Sequence, residues 1–293
     1  MKAYKGFNKD MTCTPTGGKT FQYKEGETYE EPEAYICKRG FHACLDPLDC
    51  LNYYDICNSV YHEVELDDVF EERHPEDTKV CGRKIKIGAK LSIKDIIKAS
   101  VDFTMERVKK EGGTNSGDYA KLASSGYSDQ LASSGDSAKL ASSGNSAKLA
   151  SSGNYAKLAS SGYSDQLASS GDSAKLASSG NYAKLASSGD YAQLASSGNS
   201  AKLASSGNYA KLASSGYSDQ LASSGKDSVV MSAGIGGKVK AAAGNWIAIA
   251  EWKFEDSHFV PVGIVAAKVD GEKIKADTWY KCENGQLVEA EGE

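Results

Sequence analysis

The sequence predicts a mainly β protein: a nonapeptide-repeat β-solenoid with two repeats, eighteen residues, per coil, flanked by a small amino-terminal α+β domain and a carboxy-terminal β-hairpin cap. Three observations predict it. Glycine recurs every nine residues from Gly117 to Gly234. Twelve units share the form G-x-[YS]-[AD]-[KQ]-L-A-S-S. Each unit offers one large apolar side chain, the leucine of the sixth place, and a Gly and two Ser that weaken helices, so the repeat suits extended chain better than an amphipathic helix.

Along residues 1–90, short apolar and aromatic strands alternate with turns: Ala3 to Phe7, Thr20 to Tyr23, Ala34 to Cys37, Tyr61 to Leu66 and Val80 to Ile87. A helix is expected from Pro47, with Leu48, Leu51 and Tyr54 on helical spacing. Residues 91–116 form a second helix and linker that cap the solenoid. The helix runs over about 93–110, with Ser92 as N-cap, Asp95 three places on, and Ile96, Ile97, Phe103 and Val108 as its stripe.

The solenoid is assigned to residues 117–252. In a strand the fourth, sixth and eighth places, such as Ala147, Leu149 and Ser151, share one face, and Lys148 and Ala150 share the other. Stacked coils about 4.8 Å apart then set the leucines on one another. The predicted spine is Leu122, Leu131, Leu140, Leu149, Leu158, Leu167, Leu176, Leu185, Leu194, Leu203, Leu212 and Leu221. Glycine is expected at the corners, where φ is positive.

The coil length follows from parity. The variant Y-S-D-Q falls in the second, sixth and twelfth units, and aspartate directly after glycine in the first, third, seventh and ninth. Two units per coil put these on opposite faces, whereas three would scatter both; duplication of even-numbered blocks would leave the same parity. Twelve units make six coils, a rod roughly 30 Å long. Asp129, Asp165 and Asp219 occupy the inward fourth place, where an unpaired buried carboxylate is costly; a partly wet corner is preferred over pairing with Ser or backbone amides. The glycine pattern of calcium-binding nonapeptides is absent.

After Gly225 the leucine place passes to Val230, Val239 and Ile249, and Trp246, Ile247 and Trp252 are expected to cover the last coil. Residues 253–293 form the cap, with hairpin turns at Asp270-Gly271 and Asn284-Gly285.

Composition bounds the function. The 293 residues include 30 Gly against 5 Pro and 7 Phe, which implies many corners and a thin core. A net charge of −5 disfavours direct nucleic-acid binding, which needs clustered Lys and Arg. No apolar run is long enough to cross a bilayer and Met1 to Cys13 lacks a signal-peptide stretch, so a cytoplasmic protein, in the bacterial host cell, is expected. Seven Cys, an odd number, agree with reduced thiols. The array carries 8 basic and 7 acidic side chains, so it is no duplex-mimicking rod of carboxylates.

Candidate chemistry is sparse. Cys37, His42, Cys44, Cys50 and Cys57 are close in sequence but poorly spaced for zinc, and no third group marks Cys44 and His42 as a catalytic pair. Neither a metal nor a cofactor is expected.

Tyr4-Lys5-Gly6, Gly40-Phe41-His42-Ala43-Cys44 before a helix with Tyr53 and Tyr54, and Glu63-Val64-Glu65 on a strand resemble the motif order of ADP-ribosyltransferases over residues 1–66. The chain departs from that family in having lysine for the usual Arg or His and no Ser-Thr-Ser run. The resemblance implies an alternative enzyme with Glu63 and Glu65 as catalytic residues, Glu65 orienting the ribose.

A broader resemblance rests on Met1-Lys2-Ala3-Tyr4-Lys5-Gly6-Phe7, Arg39-Gly40-Phe41-His42-Ala43-Cys44, Val80-Cys81-Gly82-Arg83-Lys84-Ile85, the Gly/Ala/Ser repeats and Val269-Asp270-Gly271-Glu272-Lys273-Ile274-Lys275. These are similar to uncharacterised accessory proteins of phages and prophages of Gram-positive bacteria, which implies no known activity. The expected function is a non-catalytic accessory protein whose rigid solenoid binds and inhibits a host protein or defence complex. Its partner-binding residues are expected to be Tyr127, Tyr163, Tyr217, Asp129, Asp165 and Asp219. Open sheet edges also allow a homodimer. Ice binding is disfavoured because the units have no Thr rows.

Overall fold

A computed structural model describes residues 1–13, 20–54, 58–70, 77–92, 95–96, 99–100, 102–103 and 117–291. Backbone contacts divide the chain into two units, Met1–Phe103 and Thr104–Gly292.

The first unit is built from β1 (Lys2–Asn8), β2 (Thr12–Cys13), β3 (Phe21–Gln22), β4 (Thr28–Glu30), β5 (Phe41–Cys44), β6 (Ser59–Val69) and β7 (Lys79–Leu91). The main sheet runs β4-β7-β5-β1-β6, and β6 also pairs with β7, so β1, β5, β7 and β6 close into a ring of antiparallel strands. Alternation along these strands sends Ala3, Phe7, Ala43, Val64, Leu66, Ile85 and Ile87 into the core.

The expected strand at 34–37 is a turn closed by one bridge, Tyr35 to Arg39. The helix expected from Pro47 is a short 3₁₀ segment, Pro47–Asn52, capped by the Asp46 side chain accepting from the Leu48 N–H at 3.0 Å. Asp95–Ile96, Ala99–Ser100 and Asp102–Phe103 are helical; the rest of the helix expected over 93–110 lies outside the described residues. Among the described residues of this unit strand predominates over helix.

In the second unit the solenoid is present with the predicted coil. Strands of odd units stack in one parallel sheet and those of even units in another, each residue pairing with its equivalent eighteen positions on, as Leu140 with Leu122 and Leu149 with Leu131. Alanine, leucine and serine of the fourth, sixth and eighth places face inward. The leucines from Leu140 to Leu221 are fully buried, whereas Leu122 and Leu131 of the first coil are partly buried. Parallel sheets with leucine stacked on leucine remove roughly 1.5–3 kcal/mol worth of apolar surface per side chain from water.

The outward seventh-place alanines differ between the sheets. Ala150, Ala168 and Ala186 of the even units are buried, whereas Ala141, Ala159 and Ala177 of the odd units are exposed. Buried serine hydroxyls such as Ser151 and Ser187 make no hydrogen bond among the described residues, and nothing in the structure explains serine there rather than alanine.

Glycine has a different role from the one expected. Positive φ falls on the third place, on residues such as Ser173 (56°) and Tyr191 (59°), and not on the repeat glycines. These glycines are needed for close approach: a Cβ on Gly171 would lie 2.0 Å from the carbonyl oxygen of Gly153, one coil away.

At the carboxy-terminal end both parallel sheets finish in antiparallel strands. Trp246–Glu255 extends the first sheet and pairs with His258–Lys268; Tyr280–Glu283 extends the second and pairs with Gln286–Glu289. Ile247, not Ile249, stands in register with Val230, and Trp246 faces outward. Ile247, Ile249, Val269 and Tyr280 close the core.

Asn284-Gly285 makes the expected hairpin turn, both residues at positive φ. The other hairpin turns instead at Asp256-Ser257, and Asp270 forms a loop in which its carboxylate accepts the N–H groups of Glu272, Lys273 and Ile274. The strands His258–Lys268, Tyr280–Glu283 and Gln286–Glu289 continue the two solenoid sheets.

Gly171→Ala is expected to destabilise the second unit by about 3 kcal/mol or more, because the obstacle is backbone and cannot move aside. Gly263→Ala, with nothing near its Cβ position, is expected to be neutral or slightly stabilising. Urea unfolding of the two variants checks this, and equal midpoints would contradict it.

Candidate functional site

The corners of the solenoid carry its most distinctive surface. At each corner the third-place residue turns the chain through positive φ, and its N–H donates to the second-place carbonyl of the next coil, as Tyr155 to Asp172 at 2.8 Å. Down the odd-unit corner, second-place side chains form a ladder. Asp118, Asp136, Asn154, Asp172, Asp190 and Asn208 each accept, at 2.7–2.9 Å, the N–H of the same place one coil on. The even-unit corner does the same at Asn145, Asn181 and Asn199.

Tyrosines decorate both corners. Tyr127, Tyr163 and Tyr217 stand exposed on the even corner, as the parity predicted, joined by Tyr182. The odd corner carries Tyr119, Tyr155, Tyr191 and Tyr209 at the third place, residues that the Y-S-D-Q pattern does not single out. The signal was available in their unit numbers. Exposure of these eight rings ranges from 45% to 75%. Tyr191 and Tyr209, one coil apart, stack at 4.9 Å with planes 9° apart, and Tyr163 and Tyr182 meet at 5.1 Å.

The aspartates of the Y-S-D-Q units lie elsewhere. Asp165 and Asp219 are fully buried and Asp129 is half-buried, so the expectation of a partly wet corner is corrected, and with it the placing of Asp165 and Asp219 on a partner-binding face. Serine and backbone amides hold the two buried ones: Asp219 accepts the Ala201 N–H at 2.7 Å and contacts the Ser214 hydroxyl, and Asp165 accepts the Ala147 N–H at 2.8 Å and contacts the Ser160 hydroxyl. Burial raises both carboxyls, Asp219 to about 6. They belong to the scaffold.

In the first unit, a cavity of about 840 Å³ is lined by residues that include Lys5, Tyr23, Phe41, His42, Tyr54 and Lys79. Lys5 reaches it because β1 carries a lysine amid apolar neighbours; its Nζ donates to the His42 carbonyl at 3.0 Å. His42 Nε2 accepts the Cys37 N–H at 2.9 Å, and burial, then Lys5 and Lys79, lower the imidazole to about 4. Cys44, hydrogen-bonded with Cys50 and buried, has its thiol pushed up.

Cys13, Cys37, Cys44, Cys50, Cys81 and Cys282 are free thiols. Among the described residues no group of His, Cys, Asp or Glu is arranged to hold a metal; Cys57 lies outside them. Glu63 pairs with Lys2 at 2.8 Å, Glu65 is exposed, and neither is among the residues lining the cavity. No helix among the described residues is long and apolar enough to cross a membrane.

Comparison with known families matches residues 1–99 to a domain of unknown function (DUF7666), nearly the whole of the first unit. No curated protein and no solved structure matches the chain.

The raised Asp219 carboxyl gives a signed pH dependence. Its folded value of about 6 lies above the ordinary 3.8, so its contribution to stability is full below 3.8 and is lost as pH rises through 6. Asp219→Asn keeps an acceptor for Ala201 and offers a donor to Ser214. It is expected to stabilise the second unit at pH 7 by up to roughly 3 kcal/mol and to flatten its stability between pH 4 and 6. Denaturant unfolding across that window checks this; an unchanged slope would count against it.

Proposed function

We propose that this is a non-catalytic binding protein whose solenoid engages a protein partner along its tyrosine-bearing corners. The observation that carries the reading is the pair of exposed tyrosine columns on a scaffold that does not need them. Serine takes the third place in many units without changing the backbone, with Ser173 and Tyr191 at the same φ within a few degrees. Tyrosine supplies large contact area at small cost in conformational entropy, and it is enriched where proteins meet.

Rigidity supports the same reading. The corner backbone that carries the rings is fixed at the coil repeat by hydrogen-bond ladders, so little backbone order has to be imposed on binding. On the odd corner the tyrosines lie among Asp118, Asp136, Asp172 and Asp190, a combination that suits a partner rich in Arg and Lys, whose cations pair with carboxylates and lie over aromatic rings. The resemblance to phage and prophage accessory proteins makes a host protein, including a component of anti-phage defence, the partner of choice, with inhibition as the consequence of occupying its surface.

Replacing Tyr127, Tyr163, Tyr182 and Tyr217 by Ser, and separately Tyr119, Tyr155, Tyr191 and Tyr209, tests the proposal by affinity capture from a bacterial host lysate with mass spectrometry. One of the two sets is expected to lose the captured protein while circular dichroism stays that of the parent. Capture that survives both sets would remove the corners as the site.

A further inference from the structure

We propose that the cavity of the first unit binds a small organic anion with a flat aromatic body, its acidic group resting on Lys5 Nζ and its ring between the aromatic walls. The proposal concerns a different unit from the tyrosine corners and stands or falls independently of them.

Lys5 is the floor of the argument. Its side chain is 7% exposed, yet it forms no ion pair among the described residues. An ammonium has three donors, and one of them is used, on the His42 carbonyl. The Phe7 and Tyr23 rings lie 5.5 and 5.7 Å from Nζ and relieve part of the burial. A buried charge held by one carbonyl and two ring faces is under-compensated, and in most interiors it would carry a carboxylate partner. Here the place for a counter-charge is the cavity itself.

The wall chemistry points the same way. The lining holds Lys5, Lys38, Arg39 and Lys79 against a single carboxylate, Glu31, in a chain whose net charge is −5. Arg39 is engaged by Glu31 and Glu33, and Lys79 sits over the Tyr53 ring at 4.2 Å. Burial, and after it Lys5 and Lys79, lower the basicity of His42, so the two lysines face the imidazole as well. Phe21, Tyr23, Phe41 and Tyr54 supply flat apolar surface, and about 840 Å³ is within the range of pockets that enclose small molecules. Cations and aromatic faces lining one cavity select a ligand with an acid group on a planar ring.

Three probes of one shape separate the terms: 2-naphthoate, 1-naphthyl phosphate and neutral 2-naphthamide, titrated into the full chain and followed by calorimetry. At least one acid is expected to bind about 10–100-fold tighter than the amide, the range for a hydrogen bond to a charged group. Which acid binds better distinguishes carboxylate from phosphate ligands. In Lys5→Gln the preference for the acid over the amide is expected to disappear.

Should that variant fail to fold, the parent protein alone decides. Acid binding is expected to weaken as pH rises and Lys5 loses its proton, which burial makes easier, while amide binding stays level. Equal affinity for acid and amide, no binding of either acid at millimolar concentration, or an acid preference that survives in folded Lys5→Gln would overturn the proposal.

Discussion

The solenoid depends on one constraint: every residue must tolerate its own equivalent about 4.8 Å away on the next coil. Leucine satisfies it by stacking on leucine, as Leu158 does on Leu176. Glycine satisfies it by having no Cβ to strike the carbonyl of the coil beside it. Asparagine and aspartate satisfy it by accepting the next coil's N–H, which ties each corner to its neighbour. The constraint acts between positions eighteen apart, so a departure in one unit is felt in the coils on either side.

That coupling explains why some features were legible in sequence and others were not. Period, parity and the leucine spine are properties of the repeat itself, and the eighteen-residue register follows from them. The corners were misjudged because the usual reason for glycine is its own φ. At Gly171 the reason is instead a contact with Gly153, which no local pattern announces. Asp219 was misplaced for a related reason. Its partners are Ala201 and Ser214, in the coil below and the preceding strand, and sequence spacing shows neither the amide's need nor the hydroxyl's reach. At the cap the repeat ends: Val230 pairs with Ile247, one residue short of the eighteen-residue coil, so the leucine place falls at Ile247 rather than at Ile249, where counting from Gly244 puts it. In the first unit the cavity gathers Lys5, His42 and Lys79 from three strands, and no spacing motif joins them.

The Y-S-D-Q units are where scaffold and surface compete. Tyrosine in the second place has no acceptor suited to the next coil's amide, so these units give up a rung of the asparagine ladder that Asn145 and Asn199 supply. In two of the same units, at Asp165 and Asp219, aspartate replaces the fourth-place alanine and takes an amide of the neighbouring coil, at the expense of burying a carboxyl. A repeat under pressure for stability alone would keep Asn and Ala throughout. Departures from local rules that expose an aromatic ring and compensate with a buried acid are the kind of inconsistency that accompanies a binding surface.

Asp219, buried in the second unit, and His42, half-buried in the first, respond to acid in opposite directions. Asp219, raised to about 6, favours the folded second unit as pH falls through that value toward 3.8. His42, lowered to about 4 from an ordinary 6.5, holds its full contribution to the first unit above 6.5 and loses it as pH falls toward 4, because the unfolded imidazole takes up the proton first. Between these limits mild acid strengthens the solenoid term and weakens the cavity term. The physical cause is the same in both places, a charge kept from water. The sign differs because the charged form that burial disfavours is the deprotonated one for a carboxyl and the protonated one for an imidazole; Lys5 and Lys79 add to the lowering of His42, and their positive field is what an anion entering the cavity would meet.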